Sequence, residues 1–155
     1  MGARIIGRRS AVLEPGEYII GDPCYVIPDD SWGSFLNGAK SFDGERDGFA
    51  GADMIGDFTT HDGRTAQALA FATLYGDGTY TDEHGRAYGV DAGLIGIVLA
   101  SDVGPKEAGE IAGHGLSHRV TFAAPFTCSV GYDGKLFFGD VTIDTGEISD
   151  DDEED

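Results

Sequence analysis

Apolar residues along this chain fall in short runs separated by glycine, aspartate and proline. The runs are "ARII", "EYII", "CYVI", "ALAFATLY", "YGVDAGLIGIVLA", "HRVTFAA", "FTCSVGY" and "KLFFGDVTI". They have strand length and are rich in β-branched and aromatic residues, so they predict strands joined by turns. Asp-Gly dipeptides begin at Asp43, Asp47, Asp62, Asp77 and Asp133. Because glycine accepts positive φ without steric cost, these pairs predict hairpin tips. The expected architecture is mainly β, with antiparallel sheets arranged as a sandwich or partly open barrel and one or two short helices.

Two hairpins can be drawn in register. With Asp133-Gly134 as a two-residue turn, Tyr132 faces Lys135, Val130 faces Phe137, Cys128 faces Gly139 and Phe126 faces Val141. Phe126, Cys128, Val130, Tyr132, Phe137 and Val141 then share one side, the predicted core side, and Cys128 is a buried, inert thiol. In "LYGDGTYTDEHGRAYGV", residues Asp82 to Gly85 suit a type I turn ending in a left-handed glycine. That loop brings Tyr80 and Tyr88 together and leaves His84 at a solvated tip.

Helix is sparse. "PDDSWGSFLNG" predicts one amphipathic helix, with Asp30 or Ser31 as N-cap, Trp32, Phe35 and Leu36 on its apolar face, and Asn37-Gly38 as its stop. "DVGPKEAGEIAG" offers a further turn or two after Pro105, weakened by three glycines. In "YIIGDPCYVIPDD", Gly21 permits a bend, Pro23 fixes it, and Asp22 accepts local backbone hydrogen bonds as an Asx turn. Cys24 is then expected to enter the next strand.

Composition narrows the function more than the fold. A chain of 155 residues buries about 70% of the surface it exposes when unfolded, enough for a core without disulfides or metal. One domain over residues 1–146 is expected, followed by an acidic disordered tail over 147–155. Acids outnumber bases 28 to 10, a net charge of -18. Seven acids lie in that tail, so the rest carries -18 + 7 = -11. Such a surface repels phosphates, which argues against direct nucleic-acid or anionic-membrane partners and for a basic protein partner, or for a high-salt source. No run approaches the roughly 20 apolar residues of a membrane span, and the amino terminus has no signal-peptide core, so a cytoplasmic location is expected.

The candidates for chemistry mostly fail their physical tests. A nucleophilic cysteine needs a neighbouring cation, histidine or helix amino terminus, whereas the charge beside Cys24 is Asp22, which raises a thiol pKa. His114 and His118 are four apart, but Gly113 and Gly115 make a poor helix and no zincin glutamate accompanies them. The histidines left to reach Cys24 from a distance are His61, His84, His114 and His118. Counted from Asp77, an EF-hand loop would place Asp82 where glycine is needed and Tyr88 where glutamate is needed. No phosphate-cradling motif occurs, and no metal or cofactor is expected. Asp91 lies inside an apolar run, so it requires a partner, and Arg86 and Arg64 are the nearest bases in sequence. The residues left as a functional cluster are Asp22, Cys24, Tyr25, Asp77, Tyr80 and Asp91, with no catalytic assignment.

"IGDPCYVIPDDSWGSFL" and "AFATLYGDGTYTDEHGRAYGVDAGLIGIV" together resemble a group of small uncharacterised proteins from bacteria, archaea and their viruses. The resemblance covers about half the chain and implies a phage-associated or prokaryotic cytoplasmic protein, with no activity to carry over. The expected function is non-enzymatic: an acidic protein that occludes a basic host protein surface. The alternatives are a small-ligand binder or hydrolytic enzyme built on Asp22, Cys24 and Asp91, and a virion structural component.

Overall fold

The computed structural model describes residues 3–7, 9–27, 29–41, 53–60, 62–91, 93–103, 117–131 and 133–145. Twelve strands are present among them: β1 (Arg4–Gly7), β2 (Ser10–Leu13), β3 (Gly16–Gly21), β4 (Met54–Thr59), β5 (Thr65–Ala72) and β6 (Gly78–Thr81), then β7 (Ala87–Val90), β8 (Leu94–Leu99), β9 (His118–Phe122), β10 (Phe126–Val130), β11 (Lys135–Phe138) and β12 (Val141–Asp144). Two helices, α1 (Pro23–Val26) and α2 (Asp29–Gly38), follow β3. The strands form one sheet in the order β1-β2-β10-β11-β12, a second in the order β4-β5-β8-β3-β9, and a two-stranded ribbon β6-β7, all antiparallel. The protein is an antiparallel β-sandwich with few short helices.

Alternation along the second sheet explains why its strands read as continuous apolar runs. Tyr18 and Ile20 of β3, Leu69 and Phe71 of β5, and Ile95 and Ile97 of β8 face the first sheet, where they meet Leu13, Cys128, Leu136, Phe138 and Ile143. Their neighbours Ile19, Ala68, Ala70, Leu94 and Val98 face the other way and pack under Val26, Ile27 and Phe35 of the helical layer. A sheet covered on both faces requires apolar residues at both parities. The ribbon closes one flank: Tyr80, Tyr88 and Val90 join the inter-sheet core, Asp82 bridges to Ile143, and His118 Nε2 lies 2.7 Å from the Ala87 carbonyl.

Three hairpins share one turn geometry. In each, the N–H of the residue opening the loop donates to the carbonyl of the residue four positions on, and the penultimate residue is a glycine at positive φ. The pairs are Thr60 with Arg64, Asp82 with Arg86, and Gly131 with Lys135. The glycines are Gly63 at +86°, Gly85 at +81° and Gly134 at +85°. The expected Asp82–Gly85 turn and the Tyr80–Tyr88 pair are therefore present. The two-residue turn expected at Asp133-Gly134 is not, because Gly131 bonds Lys135 and Gly134 takes the left-handed position, which lengthens the loop by one residue.

That single residue turns over β11. Cys128 lies opposite Phe138 and Val130 opposite Leu136, so Leu136 and Phe138 are buried while Phe137 is only half-buried. A one-residue change of register moves a strand's side chains to the other face. "KLFFGDVTI" is also two strands rather than one. Gly139, at φ +63°, begins a two-residue turn with Asp140, and Phe138 pairs with Val141. Tyr132, Asp43 and Asp47 lie outside the described residues. Asp77-Gly78 leads into β6 from a loop and is not a hairpin tip.

Helix α2 forms where expected but begins at Asp29, so Asp30 and Ser31 lie inside it and neither is the N-cap. Ser31 Oγ instead donates to the Thr59 carbonyl at 2.8 Å, fastening the helix to β4. The further helical turn expected after Pro105 lies outside the described residues, but a 3₁₀ turn, Ala100–Asp102, precedes it.

Candidate functional site

The strand expected at "CYVI" is one turn of helix. Pro23 occupies the first helical turn, where its missing N–H costs nothing, and Asp22 is the N-cap, accepting from Cys24 N at 2.9 Å. This is the predicted Asx interaction with a different continuation, because a turn that presents Asp22 Oδ1 to the second following N–H also initiates a helix. Helix packing requires the chain to approach β8 closely. A side chain at Gly96 would meet the Leu69 carbonyl at 2.4 Å and Pro23 Cγ at 3.2 Å, so the glycine in "LIGIV" makes room for the elbow.

Asp22 is fully buried and ties two distant segments together. Its Oδ2 accepts from Asp91 N at 2.7 Å, 69 residues away. Asp91 itself is exposed at the end of β7, where the chain turns toward β8. The expected burial of Asp91 inside a strand and its pairing with Arg86 or Arg64 do not occur. Tyr25 donates its hydroxyl to Asp91 Oδ2. Arg86 pairs with Asp82 at 2.7 Å, and Arg64 with Asp62 at 2.9 Å and Asp102 at 3.1 Å.

Cys24 is half-buried beside these carboxylates. Burial, the hydrogen bond to Asp22, and the charges of Asp22, Asp91 and Asp77 together push its thiol up to about 12. The hydroxyl of Tyr25 rises to about 12 for a different main reason, its hydrogen bond to Asp91. The thiolate of Cys24 is therefore scarce at neutral pH, even at the start of a helical turn, and nucleophilic attack has no support from its surroundings.

Beside this elbow the chain presents apolar surface. Tyr25 is 43% exposed, Leu74 53% and Tyr75 56%, and Asp77 is exposed in the same loop. The loop is held against the Asp91 turn by Thr73, whose N–H donates to the Gly93 carbonyl at 3.0 Å and whose hydroxyl donates to the Gly76 carbonyl at 2.7 Å. The loop that carries Leu74, Tyr75 and Asp77 is thus fastened beside the turn at Asp91, to which Tyr25 also bonds.

Of the expected cluster, Asp22, Cys24, Tyr25 and Asp91 are in contact, and Asp77 acts on Cys24 through its charge. Tyr80 belongs elsewhere: it is fully buried in the inter-sheet core, its hydroxyl donating to the Gly76 carbonyl at 2.8 Å. His84 is exposed at its hairpin tip, as expected, while His118 lies in β9 with its ring edge-on to Tyr88. His61 and His114 lie outside the described residues. Among the described residues no three His, Cys, Asp or Glu side chains converge to hold a metal ion, and no helix is long and apolar enough to cross a membrane.

Sequence reasoning missed Leu74 and Tyr75, which read as the end of an apolar strand, and it missed the second carboxylate anchor. Asp82 has a fully buried side chain that accepts from His84 N, Arg86 N, Arg86 Nε and the Tyr88 hydroxyl at 2.7–3.0 Å. The signal available was Asp82 at the first position of a glycine-closed turn, where aspartate habitually bonds its own loop.

The shared direction of the thiol and phenol shifts has a consequence for pH. Tyr18 is raised to about 12 by burial and nearby negative charge, and Tyr88 and Cys128 rise further, chiefly through burial. Each favours its neutral form in the fold, so its contribution is complete below the unfolded value and is lost as pH rises toward the folded one. Urea midpoints should be level from neutral pH to pH 9.0–10.0, the ordinary thiol and phenol values, and should fall steadily toward pH 12. A midpoint that stays level to pH 12 would contradict the described burial.

The fold and this region define a β-sandwich with a tyrosine- and carboxylate-bearing loop surface. No protein-family model, curated protein or solved structure matches this chain.

Proposed function

We propose that this chain is a non-enzymatic binding protein that engages a basic protein surface through the region bounded by Tyr25, Leu74, Tyr75, Asp77 and Asp91. The observation that carries the reading is that the Tyr25–Asp91 and Thr73–Gly93 hydrogen bonds bring two segments with exposed large apolar side chains, Tyr25 on one and Leu74 and Tyr75 on the other, to the same turn, with Asp77 and Asp91 also exposed. Tyrosine supplies contact area with little loss of rotamer entropy and is enriched at interface centres, while carboxylates at the rim select basic partners and accelerate their encounter. The net charge of -18 extends that attraction beyond the patch. The two sequence blocks that resemble small prokaryotic and viral proteins support a phage or mobile-element origin and action in a host cytoplasm.

The test is capture from host lysate with paired baits, the natural chain and a Tyr75→Ala/Asp77→Asn chain, at low and high salt. A protein held by the natural bait at low salt, and lost both at high salt and with the double variant, is the expected result. Equal capture by both baits, or none by either, sinks the reading.

One observation favours a second reading, a small-ligand or hydrolytic site: Asp22, Cys24 and Asp91 do meet. It predicts that Cys24→Ser abolishes function at unchanged stability. The binding reading predicts unchanged capture by the Cys24→Ser bait.

A further inference from the structure

Strand β1 is the outer edge of its sheet. It pairs with β2 on one side and with no described strand on the other. All four of its residues are exposed, including Ile5 at 37% and Ile6 at 50%. An edge of this kind presents free backbone N–H and C=O groups and is a template for pairing with other chains.

The same segment carries unusual charge. Arg4, Arg8 and Arg9 supply three of the ten basic residues within six positions of a chain whose net charge is -18. Arg9, Arg64, Arg86, Arg119 and Lys135 each have a carboxylate partner. Arg4 has none among the described residues.

We propose that the acidic carboxyl-terminal segment of the same chain, residues 146–155, docks along β1 and covers this edge. Two independent features point to that occupant. The first is charge: the segment holds seven acids in its last nine positions, opposite in sign to the most basic stretch of the chain. The second is the place where the segment starts. Successive antiparallel pairings make β12 run in the same direction as β10 and β1. The chain therefore leaves β12 at the same end of the sheet as the turn between β1 and β2.

Crossing from β12 to β1 spans four strand spacings, about 19 Å. Ten residues reach at most about 35 Å when extended. The acids at positions 150–155 are thus within reach of Arg4 and Arg9. A second copy is the poorer occupant, because two chains of this charge repel each other at low salt.

The inference is independent of the binding reading, which concerns a different region. A nitroxide attached at Ser149→Cys in a Cys24→Ser chain reports on it, with Cys128 left buried. The backbone amide signals of residues 4–7 should lose most of their intensity at low salt and recover it at about 0.5 M NaCl, where screening is strong. Arg4→Glu should weaken the same broadening. Signals from residues 4–7 that never broaden would overturn the proposal. So would broadening seen only between differently labelled chains in a mixed sample, because that would place a second copy's segment on the edge.

Discussion

Asp82→Ala is expected to destabilise the fold by about 4 kcal/mol, the largest effect of any single truncation considered for this protein. The carboxylate is fully buried and accepts from two backbone amides, the Arg86 guanidinium and the Tyr88 hydroxyl. Alanine leaves Arg86 without its counter-ion and the buried Tyr88 hydroxyl without its acceptor, while releasing the loop that fixes the ribbon. The ribbon is also attached to the first sheet at Asp82, through the bridge to Ile143, so the loss extends beyond the turn. Tyr88→Phe, which removes one donor along with its bond, should cost only about 1 kcal/mol.

The pH dependence separates this network from simple packing. Burial pushes the Asp82 carboxyl up, but the bonds from Tyr88, Arg86 and His84 outweigh it and hold it below the ordinary value of 3.8. A depressed carboxylate contributes stability that is complete above the unfolded value and is lost as pH falls through the folded one. In urea titrations the natural chain should therefore lose stability below pH 3.8. Asp82→Ala should show a shallower acid limb as well as a lower midpoint at neutral pH. Equal acid limbs in the two chains would show that Asp82 is not held by these bonds.

Asp22→Ala is expected to cost about 3 kcal/mol, combining the lost helix cap with a second backbone donor left without its carboxylate. The two donors are Cys24 N at 2.9 Å and Asp91 N at 2.7 Å. Asp22→Asn retains one good acceptor and turns an amide N–H₂ toward the other donor, so it should recover part of the loss. A second readout is chemical. The hydrogen bond and charge of Asp22 are, after burial, the largest causes of the raised Cys24 thiol. Alkylation of Cys24 in Asp22→Asn should therefore accelerate at lower pH than in the natural chain. An unmoved alkylation profile would contradict the described contact even if stability fell.

These two aspartates show how much of the candidate site can be read locally. Both were legible as turn-forming residues, because "GDPC" and "DEHG" combine aspartate with proline or glycine at spacings where the carboxylate meets its own backbone. Their long-range partners were not legible. Asp22 reaches Asp91 across 69 positions and Tyr25 reaches Asp91 across 66, distances that only the placement of α1 over β8 brings to contact. Proximity in sequence suggested Arg86 or Arg64 for Asp91. Both arginines had nearer carboxylates once the hairpins at Asp62 and Asp82 had closed.

The β10–β11 hairpin shows a different limit. "YDGK" is compatible with a two-residue turn and with a type I turn followed by a left-handed glycine, and the two differ by one residue of register. Period-two patterning could not arbitrate, since "LFF" is apolar at both parities. The core did so by accepting Leu136 and Phe138 against Phe71 and its neighbours.

The sequence by itself determined the β class, most strand positions, helix α2, the Asx turn at Asp22, the left-handed Gly85 and the acidic character, because these follow from local sterics, side-chain period and charge. Tertiary structure alone decided that "CYVI" is helical, that Gly96 admits Pro23, that Tyr80 belongs to the core, and that Tyr25 and the loop after Thr73 both bond at the turn that follows β7. Each of those outcomes depends on which segments the sheet order makes neighbours, and pairing between segments dozens of residues apart leaves no periodic trace in either one.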